Sequence, residues 1–312
     1  MIVSASYRTD IPAFYGDWFA ARLAAGFAMV ANPYGGAPYR VPLDPESVDG
    51  FVFWTKNIGP FLPVLGRLRE RGDPFVVQYS ITGYPRALER AVIEPARAAD
   101  HMRRLAGDFG PRVAVWRYDP ILLTSLTPPV WHEARFAALA RGLRGTTDEV
   151  VVSFAQIYRK TGRNLDAAAG IGNFAWEDPP ADEKRALIAA LAGIAADHGM
   201  RLTVCSQPDL TEPPAEPAAC IDATRLSDVA GRAVAAKRKG NRPGCLCHES
   251  RDIGAYDTCP HGCAYCYAVA SHPAARRRYR AHDPAAETLA PVARAGVTDT
   301  SSRSPAASET LL

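Results

Sequence analysis

The sequence has no apolar run long enough to cross a bilayer. Its longest, "ALIAALAGIAA", falls well short of the roughly 20 residues that a spanning helix needs. The N-terminal "MIVSASYRTD" carries neither a positively charged leader nor an apolar h-region, so no secretory signal is read there. Net charge is only +3 over 312 residues, too little to call by itself for a nucleic-acid partner. No His/Asp/Glu set has metal-ligand spacing at the predicted strand ends, which removes support for a metal-dependent barrel hydrolase. Asp283 to Leu312 contains no aromatic residue and is dominated by Ala, Ser, Thr and Pro, so a disordered tail is expected over 283–312. With 47% hydrophobic and 22% charged residues, the expectation is an ordinary globular protein of the cytoplasm.

Cysteine, in contrast, is plentiful. There are seven, and five of them lie between Cys245 and Cys266. A reducing compartment disfavours disulfides, and the clustering favours a metal or iron–sulfur site over scattered core residues.

Six short, nearly continuous apolar runs read as parallel strands buried on both faces: 2–6, 50–55, 74–80, 112–118, 149–155 and 201–206. Between them lie amphipathic stretches read as helices, among them 12–26, 85–107 and 181–199, the last stopped by Gly199. The stretch 27–43 interrupts the first two units and is expected to form a small hairpin or loop. Beyond residue 206, "PDLTEPPAEPAAC" is a Pro-rich loop, 221–240 reads as a helix ending at Gly240, and a further helix is expected to start near "AVASHPAARRRYRAH". Six βα units imply a partial barrel or a doubly wound sheet, and in both the chemistry gathers at the C-terminal strand ends. Those ends carry Arg8, Thr9 and Asp10; Thr55, Lys56 and Asn57; Ser80 and Thr82; Arg117 and Asp119; Ser153 and Gln156; and Cys205.

The segment "CPHGCAYCYA" places Cys259, Cys263 and Cys266 at spacing C-x3-C-x2-C. Thiolates select zinc and iron–sulfur clusters. Structural zinc and a 4Fe–4S cube both ordinarily take four protein ligands, and three leave one iron of a cube open to chelate a substrate or cofactor. The zinc alternative would complete a Cys3His site with His261 or His248.

The spacing, with an aromatic just before the last cysteine, resembles the signature of the radical S-adenosylmethionine superfamily. That resemblance implies a partial (β/α)6 TIM-like barrel over 1–206, with a cysteine-rich Fe–S segment, 207–282, packed on its mouth. It further implies Cys259, Cys263 and Cys266 as ligands of a 4Fe–4S cluster and Tyr265 as the aromatic near the adenine. S-adenosylmethionine would sit on the open iron, and a small reductant protein such as flavodoxin or ferredoxin would supply the electron that releases a 5′-deoxyadenosyl radical. In that superfamily the loop follows the first strand; here it comes last, which a circular permutation would reconcile. "CPHGCAYCYA" is also distantly similar to the spore photoproduct lyase branch, and Asn32, Pro33 and Tyr34 resemble a short motif of lyase-type relatives. More closely, "YRTDIPAFY", "VFWTKN", "WRYDPILL", "VVSFAQIYRK" and "CLCHESRDIGAYDTCPHGCAYCYA" resemble the domain-of-unknown-function family 1848 over roughly residues 3–270.

Cys205, Cys220, Cys245 and Cys247 are as many as a second 4Fe–4S cluster or a structural zinc would need; the bland alternative is that Cys205 and Cys220 are buried small hydrophobes. An adenosyl cofactor also needs a cation and polar groups. Lys56 is the candidate for its carboxylate, with Arg8, Asp10, Ser153 and Gln156 as further binding residues and Lys56, Arg117 and Asp119 as catalytic candidates. Asp10 would equally cap the helix that Pro12 opens, and Arg117 would equally pair with Asp119. The basic runs 237–242 and 276–280 would suit a phosphate backbone, although a charge run is usually a solvated face. The sequence therefore reads as a radical enzyme acting on an unknown substrate. The alternative is a zinc-stabilised nucleic-acid-binding module without redox chemistry.

Overall fold

The computed structural model describes residues 1–32 and 36–290. In chain order the strands are β1 (Ile2–Ala5), β2 (Phe27–Val30), β3 (Tyr39–Pro42), β4 (Gly50–Thr55), β5 (Phe75–Ser80), β6 (Ala114–Ile121), β7 (Leu123–Thr124), β8 (Glu149–Phe154), β9 (Trp176–Glu177), β10 (Arg201–Val204), β11 (Glu216–Pro217) and β12 (Ser250–Asp252). The α-helices are α1 (Ile11–Phe14), α2 (Gly16–Ala25), α3 (Leu62–Glu70), α4 (Pro95–Phe109), α5 (Pro129–Leu143), α6 (Arg159–Gly172), α7 (Ala181–Asp197), α8 (Ala223–Ala230) and α9 (His272–Arg280).

All six expected strands are present. With β11 and β12 added at the edges, they form one eight-stranded sheet in the order β11-β10-β8-β6-β5-β4-β1-β12, every neighbouring pair parallel. The fold is therefore mixed α/β on a large parallel sheet, and both edge strands come from the segment after residue 206. The interruption at 27–43 contains the antiparallel pair β2 and β3.

Side chains alternate across each strand, so residues two apart share a face. Val3, Phe51, Phe53, Val77, Trp116 and Val152 turn to the helix-covered face, where Phe19 and Phe61 pack edge-on against Phe53 and tilted against each other. Each phenylalanine fully buried there contributes about 1.5–3 kcal/mol. Ile2, Val52, Val76, Val115 and Val151 turn to the opposite face, where Ala218, Ile221, Leu226 and Val234 cover them. One step further toward the strand C-termini this second face turns polar, with Ser4, Gln78, Arg117, Ser153 and Cys205 in the same alternation.

Four expectations are corrected. The helix read over 85–107 begins only at Pro95, because proline drives the preceding residue out of the helical region and Glu94 stands extended at φ −63°, ψ 141°. The helix read over 221–240 ends at Ala230, where Gly231 takes a left-handed conformation, φ 62°, that closes it. The helix read over 12–26 is split into α1 and α2 at Tyr15. The tail expected to be disordered from Asp283 is packed as far as it is described: Leu289 is buried, Trp18 Nε1 donates to Ala286 O at 2.9 Å, and Met29 N donates to Glu287 O at 3.0 Å. Residues 291–312 lie outside the described residues, as do Pro33 and Tyr34. Helix α9 begins where expected, capped by Ser271. Among the described residues no helix is long and apolar enough to cross a membrane.

Candidate functional site

The three-cysteine loop follows β12, which pairs in parallel with β1 in register Ile2↔Ser250 to Ser4↔Asp252. The loop therefore leaves the sheet at its C-terminal edge, on the same side as the polar strand ends. Neighbouring segments hold it at several points. Tyr15 donates its hydroxyl to Thr258 O at 2.7 Å, and Ala91 N donates to His261 O at 2.9 Å. Ala264 N donates to Leu88 O at 2.9 Å, and the backbones of Glu89 and Cys263 pair as an isolated antiparallel bridge. Asn164 Nδ2, from α6, donates to Val269 O at 3.0 Å.

Two buried carboxylates anchor this mouth. Asp10 Oδ1 accepts Ala13 N at 2.9 Å, capping α1. Its Oδ2 accepts Lys56 N at 2.8 Å and lies 2.8 Å from His261 Nε2. Asp10 thus caps α1, as its sequence position allowed, and its second oxygen ties Lys56 N and His261 together. Glu89 is the residue that sequence reasoning missed. Its Oε1 lies 2.8 Å from Lys56 Nζ, accepts Thr82 Oγ1 at 2.7 Å, and accepts the Tyr265 hydroxyl. Burial alone would push Lys56 down and Glu89 up. Each charge overrides that for the other, so Lys56 ends raised and Glu89 lowered, and the pair stays ionised. Lys56 Nζ also stands 5.7 Å from the centroid of the Tyr265 ring.

Asp252, at the end of β12, is a second residue missed from sequence. It accepts Ser4 Oγ at 2.6 Å, Ser6 Oγ at 2.8 Å, Gly254 N at 2.9 Å and Tyr7 N at 3.1 Å, with Arg8 Nε at 3.7 Å. Burial nevertheless raises its pKa. Arg8 thus forms an ion pair with Asp252 and lies against the rings of Tyr7 and Tyr256.

Arg117 and Asp119 pair as the sequence allowed, at 2.7 Å, and Ser153 donates to the same carboxylate. Arg117 Nη1 also reaches Gln78 Oε1 at 3.1 Å and Cys220 Sγ at 2.9 Å, which ties this group to the second cysteine set. Gln156 accepts Arg242 Nη1 at 3.0 Å. The candidates thus divide in two. Lys56, Asp10 and Tyr265 gather at the three-cysteine loop, whereas Arg117, Asp119, Ser153 and Gln156 gather toward Cys205 and Cys220.

All seven cysteines are free thiols. Burial raises Cys259, Cys263 and Cys266, and the three influence one another electrostatically. Among the described residues no set of three or more His, Cys, Asp or Glu side chains stands ready to hold a metal ion. His261 is engaged by Asp10 and by Ala91 O, and His248 Nδ1 lies 3.1 Å from Ile221 O. A cavity of about 260 Å³ opens beyond Glu89 between Tyr84, Arg86, Trp131 and Arg135, and no cysteine lines it.

Residues 2–268 match the family described as domain of unknown function (DUF1848), and the chain belongs to that family. No curated protein matches the chain, and no solved structure does.

Proposed function

We propose that this protein is a radical enzyme in which Cys259, Cys263 and Cys266 hold a 4Fe–4S cluster with one iron left for S-adenosylmethionine. The observation that carries this reading is β12. The loop follows a parallel strand of the sheet directly, so the order strand–cysteine loop, expected at the start of such a fold, is met here at its end. The eight-stranded sheet would then be a partly rolled barrel read in permuted order, with α2, α3, α4, α5 and α7 on one face and residues 218–234, α8 among them, on the other. The donor set also fits: three free thiols in one loop, none in a disulfide, are the chemistry that a cluster with an open iron requires. The reading draws on spacing and placement, since the thiols as they stand form no finished ligand cage.

When bound, such a cluster supplies the electron that splits S-adenosylmethionine into methionine and a 5′-deoxyadenosyl radical. The chain's own residues then bind and orient. Lys56, held ionised by Glu89, stands beside the loop, close enough to Cys263 to act on it electrostatically, and suits a carboxylate. Tyr265 offers a ring face toward the mouth while Glu89 fixes its hydroxyl. Asp10 locks His261, and with it the turn between Cys259 and Cys263, against the start of α1.

The test is anaerobic. The reconstituted protein is reduced with dithionite in the presence of S-adenosylmethionine, and 5′-deoxyadenosine is followed by chromatography. The reading expects its formation in the wild type and its loss in Cys263→Ala. No product from a protein shown to carry its cluster would reject the reading.

A further inference from the structure

The other four cysteines converge from three separate places in the sequence. Cys205 follows β10, Cys220 follows β11, and Cys245 and Cys247 precede β12. Cys205 Sγ and Cys220 Sγ are 3.2 Å apart. Cys247 is an electrostatic neighbour of both Cys220 and Cys245, so the four thiols form one connected group, 205–220–247–245. Cys205, Cys220 and Cys247 are buried and Cys245 is half-buried. Donors point at three of the sulfurs: Arg117 Nη1 at 2.9 Å from Cys220, Ile221 N at 3.3 Å from Cys247, and Arg242 Nη2 at 3.9 Å from Cys205.

We infer that Cys205, Cys220, Cys245 and Cys247 form a tetrathiolate site for a single zinc ion, separate from the three-cysteine loop. The spacing favours one ion over a cluster. With Zn–S bonds of about 2.3 Å in a tetrahedron, neighbouring sulfurs stand about 3.8 Å apart. Cys205 and Cys220, at 3.2 Å, already stand within that distance of each other, while the four sulfurs as they stand do not yet form a finished cage. A 4Fe–4S cube binds each thiolate to a different iron and holds the sulfurs well out of contact with one another. The surrounding donors fit the same assignment. Four thiols that give up their protons to bind Zn2+ leave a net charge of −2, and Arg117, Arg242 and the Ile221 amide are placed to meet it, as outer-shell partners of thiolate ligands do. The ion would tie the β10–β11 edge of the sheet to the segment that leads into β12 and so to the three-cysteine loop. This inference does not depend on the radical reading.

The experiment measures metal on the full-length Cys259→Ala/Cys263→Ala/Cys266→Ala variant, so that the first loop cannot contribute. We expect one zinc per chain, no iron and no sulfide, and loss of that zinc when Cys205→Ser and Cys247→Ser are added. If the added changes prevent folding, the triple variant alone decides: titration of its four remaining thiols with an organomercurial should release one zinc, followed with 4-(2-pyridylazo)resorcinol. Iron retained in the triple variant, with or without sulfide, overturns the assignment. So does a metal-free protein, including one in which peptide mapping finds a Cys205–Cys220 disulfide.

Discussion

Lys56 Nζ lies 2.8 Å from Glu89 Oε1, and the same oxygen takes the hydroxyls of Thr82 and Tyr265. One buried carboxylate thereby joins the end of β4, the turn after β5 and the three-cysteine loop. Removing one partner leaves the other charge buried alone, which costs about 3–5 kcal/mol. Glu89→Ala should lose that much in urea unfolding, and Lys56→Met combined with Glu89→Leu should recover part of it. Losses that simply add in the double variant would show that the pair is not coupled.

His132 gives a pH signature independent of any cofactor. It is fully buried, its Nε2 faces Leu122 O at 3.1 Å, and its Nδ1 faces the Tyr118 hydroxyl at 2.8 Å. A carbonyl only accepts, so Nε2 carries the proton and Nδ1 receives the tyrosine hydroxyl. Burial lowers its pKa to about 4. A depressed histidine contributes stability that is present above its unfolded value of about 6.5 and is lost as pH falls through that window toward the folded value. The wild type should lose about 3 kcal/mol from this group between those limits. His132→Gln should be less stable at neutral pH but lack that slope, as followed by urea midpoints across the window. An unchanged slope would mean that His132 is not buried in its neutral form.

Gly254 and Gly66 should respond in opposite ways to alanine. A Cβ on Gly254 would stand 1.9 Å from Ser6 Oγ, within the hydrogen-bond cradle of Asp252. Gly254→Ala should therefore destabilise the protein by about 1–3 kcal/mol, the range for overpacking. Gly66 sits inside α3, and nothing beyond its own helix backbone and chain neighbours comes within 4 Å of the added carbon, so Gly66→Ala should gain about 0.5–1 kcal/mol. Thermal melts of the two variants check both signs. A tolerated Gly254→Ala would undercut the account of how β12 is fixed against β1.

The six central strands were legible because each is a long, continuous apolar run, and 50–55 matches β4 to the residue. β11 and β12 were not, since "EP" and "SRD" have no apolar pattern and become strands only by pairing with β10 and β1. Glu89 was hidden inside a stretch whose helical periodicity is real. What overrides it is Pro95, together with backbone bonds from the cysteine loop to Leu88 and Ala91. The polar strand ends were visible as a set, but not their division between the two cysteine groups, because Arg117 reaches Cys220 only through the folded sheet. The pairing of Arg8 with Asp252 spans nearly the whole chain, and no local signal announces it.

Tyr265 separates a positioning role from simple packing. Its hydroxyl donates to Glu89, and its ring lies 5.7 Å from that of Tyr84. Tyr265→Phe removes one hydrogen bond to a charged group, worth about 1.5–3 kcal/mol, and keeps the ring. We expect reduced stability with iron content unchanged. Loss of iron in this variant would instead make the hydroxyl essential to how the loop is held.

The most direct measurement of the central claim is the count of iron and acid-labile sulfide per chain after anaerobic reconstitution, in the wild type and in Cys259→Ala/Cys263→Ala/Cys266→Ala. The account predicts a brown wild-type protein with four irons and four sulfides per chain, and their complete loss in the variant. A colourless wild type whose sole metal is zinc, or iron that survives removal of all three cysteines, would contradict it.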